Sequence, residues 1–184
     1  MTNLVETIQQ NLDYPPLKKV DPNVQDVKEK KEGEITQLAQ AAIPAVLTGL
    51  YKLTRNDEGS AKILKSNPAD DSLSLLFNGT ETQLVEKVAQ YAGITPVEAE
   101  GHLENIADES IRVAKESLGA NGDAAKLKQY MNDQRHNILV YLPASLNLGE
   151  LLHDETLDDK TNKMEGPISS FMHKIENKLS QGGD

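Results

Sequence analysis

The residues best suited to metal or proton chemistry are four histidines, His102, His136, His153 and His173. No two stand at i, i+3 or i+4, so the chain spells out no helical zinc pair. His102 with Glu98 or Glu104 makes one corner of a metal site, and a satisfied or exposed histidine explains it as well. His153-Asp154-Glu155 with Asp158-Asp159 gathers carboxylates without the alternating spacing of a calcium loop, and reads as a solvated acidic linker. With no cysteine, thiolate zinc sites, disulfides and cysteine nucleophiles are excluded. There is no strained serine elbow between glycines and no glycine-rich loop to cradle a phosphate. Carboxylate pairs such as Glu98/Glu100 are commonplace in a chain with 29 Asp+Glu, and acid–base work needs a pocket that drives two pKa values apart. We therefore single out no catalytic, cofactor-binding or metal-binding residue, infer no cofactor, and expect the chain not to be an enzyme.

Charge narrows the partners. The chain carries 19 Lys+Arg and a net charge of -10 at pH 7. Val85–Ile106, with its turn at Gly93-Ile94-Thr95, has the spacing of a helix-turn-helix. Its reading helix would carry Glu98, Glu100, Glu104, Asp108, Glu109 and Glu116 against Arg112 and Lys115, the wrong sign for phosphates. Packing between helices explains that hairpin better, and no specific nucleic acid partner is expected. The longest apolar run, Ala41–Leu47, is seven residues. A membrane span needs about 20, so none is expected. No basic-then-apolar leader opens the sequence, which predicts a soluble, cytoplasmic chain.

The elements that would position these residues are helices. Asn3–Leu12 places Leu4, Val5, Ile8 and Leu12 on one face, and Tyr14-Pro15-Pro16 stops it. Lys18–Glu34, with Pro22 at a helix start, reads as a surface helix or ordered arm. Glu34–Thr54 is apolar around its axis, as a central helix is, with a kink expected at Gln40–Pro44. Asp57 is placed as the cap of a helix carrying Ala61, Ile63 and Leu64. Ser72–Phe77 forms a short helix ended by Asn78-Gly79, and Thr80 caps the next, which ends at Gly93. Thr95-Pro96-Val97-Glu98 is a complete capping box, opening a helix to Leu118 with Gly119 as its stop. The buried stripe of that helix is Ala99, Leu103, Ile106, Ala107, Ser110, Val113 and Ala114. Asn121-Gly122-Asp123 opens a further helix, bent onward through Ile138–Leu142, and Pro143–Leu152 forms another. The last, Pro167–Ser180, is amphipathic, with Ile168, Phe171, Met172, Ile175 and Leu179 on one face. No stretch alternates long enough to make a strand.

Ala42-Ile43-Pro44-Ala45-Val46-Leu47-Thr48-Gly49-Leu50, followed by Asp57-Glu58-Gly59-Ser60-Ala61, resembles the first half of a bacterial domain of unknown function grouped with YidB-like proteins. Ala92-Gly93-Ile94-Thr95 with Leu103 resembles its second block, and Leu142-Pro143 its closing leucine-proline. The resemblance spans about residues 35–152. It implies an all-α domain with no established activity and no known catalytic residues.

The sequence thus predicts an all-α chain, a compact multi-helix orthogonal bundle. Residues 1–32 are an N-terminal helix and arm, 33–153 the helical core domain, and 154–184 an acidic linker and C-terminal helix. The expected role is a non-catalytic soluble interaction or scaffold module, with a protein partner or self-association through the helix 167–180. The alternatives are a helix-turn-helix nucleic acid binder and a small-ligand or enzyme domain within the bundle.

Overall fold

A hydrophobic helix needs a cover on every side, and one helix sets the architecture here. The computed structural model describes residues 3–20, 33–67, 70–154 and 156–157. Its helices are α1 (Leu4–Asn11), α2 (Glu34–Leu53), α3 (Asp57–Lys65), α4 (Ser72–Phe77), α5 (Glu81–Ala92), α6 (Pro96–Ser117), α7 (Ala124–Leu139) and α8 (Leu148–Leu151), with a 3₁₀ turn at Ala144–Leu146. Every residue of α2 from Leu38 to Tyr51 is buried. It packs against α1, α4, α5, α6 and α7, so the chain is an all-α bundle wrapped on one central helix. The helix runs on through Pro44, whose carbonyl accepts the Thr48 hydroxyl at 2.7 Å. No strand occurs among the described residues, and no helix there is long and apolar enough to cross a membrane.

The caps show why each helix starts where it does. Asn3, Asn56, Asp71 and Asp123 accept a backbone N–H two or three residues on, each satisfying one orphan donor. At α6 the box closes both ways: Glu98 N–H donates to Thr95 Oγ1 at 3.3 Å, and Thr95 N–H donates to Glu98 Oε2 at 3.0 Å. Thr95→Ala should cost about 1 kcal/mol in chemical denaturation. An unchanged midpoint would show that solvent caps this helix equally well.

Four expectations change. Asn56, one residue before Asp57, caps α3, its side chain accepting from Gly59 N–H at 2.8 Å. Thr80 holds the cap position of α5, but its hydroxyl donates backward to Phe77 O at 2.8 Å instead of receiving from the helix. The single helix expected over Pro143–Leu152 splits into the 3₁₀ turn and α8, because Asn147 turns left-handed at φ 46°. Asparagine tolerates that region better than most residues, so the break falls there. Likewise α7 stops at Leu139 and does not bend onward to Leu142.

Two buried amides fix the chain's first stretch to the bundle. Gln40, inside α2, accepts Lys18 N–H at 2.8 Å and donates to Lys18 O at 3.0 Å and Tyr141 O at 2.7 Å. Gln134, on α7, accepts Leu4 N–H at 3.0 Å. Val20 N–H adds a bond to Val140 O at 2.8 Å. The N-terminal helix, read from the sequence with the arm, therefore shares the core through Leu4, Val5 and Ile8. The rest of the arm, residues 21–32, and the C-terminal helix expected at 167–180 lie outside the described residues.

Candidate functional site

The outward face of α6 forms the floor of a cleft of about 680 Å³. Its walls are the turn after α1, the first residues of α2, and the α3–α4 junction at Ser66, Asn67 and Ser72. Lining residues on α6 run from His102 to Glu116, about 21 Å of helix at the standard rise. Leu12, Tyr14, Ile35 and Ile111 supply the apolar surface. Ile35 is 47% exposed, one of two large hydrophobics left open among the described residues; Val97 is the other.

Most polar groups of the cleft already have partners. Tyr14 OH lies 2.7 Å from His102 Nδ1, and partial burial pushes the phenol pKa up. Arg112 makes a two-pronged bond to Glu109, Nε to Oε2 at 2.8 Å and Nη2 to Oε1 at 2.6 Å. Its Nη1 reaches Glu116 at 2.6 Å. Glu109 also accepts from Asn11 of α1 at 2.7 Å, and Arg112 holds its carboxyl below the usual range. Lys115 Nζ donates to Ser66 O at 2.6 Å, and desolvation lowers its pKa. Asp13 and Asp108, both exposed, make no ion pair with a described residue.

Glu104 stands one turn before Asp108 on α6, beside the start of α4. Its carboxyl is pushed up to about 7 by desolvation first, then by hydrogen bonding and repulsion from Asp71, with a smaller push from Asp108. The Leu73 N–H, 3.4 Å from Oε2, pulls the other way. An acid whose pKa rises on folding binds more protons folded than unfolded. Its stabilising share is therefore whole below 4.5 and is lost as pH climbs to about 7. Glu104→Gln keeps an acceptor for Leu73 and a donor for Asp71. It should raise the melting temperature above pH 7 and leave it nearly unchanged below 4.5. An equal shift at both pH values would rule out the shared proton.

The histidines and acids singled out from the sequence do not converge. His102 faces Tyr14; Glu98 is spent in the cap; Glu104 faces α4. His136 lies in the last turn of α7, and His153 follows α8 with a left-handed backbone. Asp154 turns back to pair with Arg55. Glu155, Asp158, Asp159 and His173 lie outside the described residues. Among the described residues no group of three or more His, Asp or Glu is placed to hold a metal ion. The turn between α5 and α6 has its helix-turn-helix spacing, with Gly93 left-handed at φ 74°. The cleft itself was missed, since no spacing joins Tyr14 to His102 across 88 residues. No family model matches the chain, and no curated protein or solved structure is found to match it.

Proposed function

We propose that the chain is a non-catalytic helical interaction module, and that the cleft on α6 receives an apolar-faced helix carrying cations at its edge. The cleft carries this reading: a long groove with open Ile35, flanked by the exposed carboxylates Asp13 and Asp108, which make no ion pair with a described residue. A small polar substrate would need free donors and acceptors there. The pairs Tyr14–His102, Arg112–Glu109 and Lys115–Ser66 have already spent theirs. A helix in a groove needs mainly apolar contact and flanking charge. The resemblance to YidB-like domains carries the same non-catalytic expectation. Duplex DNA fits the site poorly, because α6 sets six acids against two cations.

A synthetic amphipathic helix with a leucine stripe and flanking lysines is the probe. At saturation it should move the methyl resonances of Leu12, Ile35 and Ile111 in NMR spectra, and leave Val85 in place. Ile35→Asp should abolish the response. Unmoved cleft methyls, in the full chain and in Phe171→Asp alike, would end the reading.

A further inference from the structure

We infer that the cleft is built for the chain's own C-terminal segment, residues 167–180, which docks on α6 in cis. This deepens the interaction reading above and rests on it. Three observations converge. The first is size: fourteen residues in helical form span about 21 Å, matching the stretch of α6 from His102 to Glu116 that floors the cleft.

The second is pattern. At helical spacing Ile168, Phe171, Met172, Ile175 and Leu179 make one apolar stripe, with Lys174 and Lys178 together along one edge. That stripe complements Leu12, Ile35 and Ile111, and the two lysines complement Asp13 and Asp108. Residues 21–32, which precede Gly33 in the sequence, carry only Pro22, Val24 and Val27 as apolar side chains. Nothing in that composition fills a groove of this length.

The third is reach. The described chain ends at Leu157, next to Thr156 and Asp154, which bond to Arg135 and Arg55. Arg55 stands just ahead of α3, and Ser66, at the far end of that nine-residue helix, already lines the cleft. Arg55 and Ser66 are about one α3 length apart, roughly 14 Å. The linker from Leu157 to Pro167 covers ten residues and extends to about 33 Å.

The absence of native cysteine makes the test clean. A nitroxide on Asn177→Cys, opposite the apolar stripe, is placed in the full chain, and paramagnetic broadening is read at the methyls of Leu12, Ile35 and Ile111. Docking in cis predicts strong loss of these signals when label and isotope share a chain. The same loss should vanish in Phe171→Asp, and in a mixture of labelled NMR-silent chains with unlabelled isotopic ones. Loss that persists in the mixture would overturn the proposal in favour of a second copy. Loss in neither sample overturns it as well, and the synthetic helix then separates the two failures. If Ile35 still moves with that peptide, the cleft remains a helix site with a foreign occupant. If Ile35 does not move, the interaction reading falls too.

Discussion

Leu103→Ala is expected to remove about 2–5 kcal/mol of folding stability, from lost burial plus the cavity left behind. Leu103, Ile106 and Ala107 are fully buried on α6, which packs against α2 and α5. The bundle is wrapped on α2, and α6 is its longest partner, so a cavity there has rigid walls on each side. Packed helices relax only partly around a void. Urea unfolding with an unchanged slope would isolate the effect. A loss below about 0.5 kcal/mol, the scale of a surface change, would mean that α6 presents another face to the core.

Gly59→Ala should cost about 3 kcal/mol, against the ordinary preference for alanine in helices. An added Cβ at Gly59 would sit 1.8 Å from the Leu53 carbonyl oxygen and 2.8 Å from its carbon. Those are backbone atoms, so no rotamer change relieves the clash. The corner is tight because Ser60 Oγ donates to Thr54 O at 3.0 Å and Asn56 caps α3 immediately after α2 ends. Gly101 is the control: it lies within α6 with open space where a Cβ would go. Gly101→Ala should gain about 1 kcal/mol from propensity alone. Equal signs for the two substitutions, read by thermal melting, would dismiss the close approach of α3 to α2.

Local signals were the legible ones. Thr95, Pro96 and Glu98 sit within four residues, so the capping box could be read in full and the structure forms it. The stripe Leu103, Ile106, Ala107, Ser110 is buried as its spacing requires, with α6 packed among α1, α2, α4 and α5. Ile111, at the stripe's edge and outside the expected set, is buried as well. Where two capping residues stand side by side, as at Asn56-Asp57, sequence does not rank them, and the fit of the α2–α3 corner selects Asn56. The cleft was illegible for a different reason. Tyr14, Ile35, Ser66 and His102 belong to four separate elements, and only their packing brings them together. The carboxyl pair Asp71–Glu104 is equally a product of α4 lying on α6.

The buried amides Gln40 and Gln134 make residues 3–20 a cooperative unit in amide hydrogen exchange. Leu4 N–H and Lys18 N–H are held by side chains 130 and 22 residues away, not by neighbours in the chain. Their exchange therefore requires α1 and the segment behind it to detach together, a sub-global opening distinct from fraying. Tyr14, the cleft's wall, lies between those two anchors, so the wall opens when that unit opens. Anything seated in the cleft would then slow exchange at Leu4 and Lys18, two amides outside its lining.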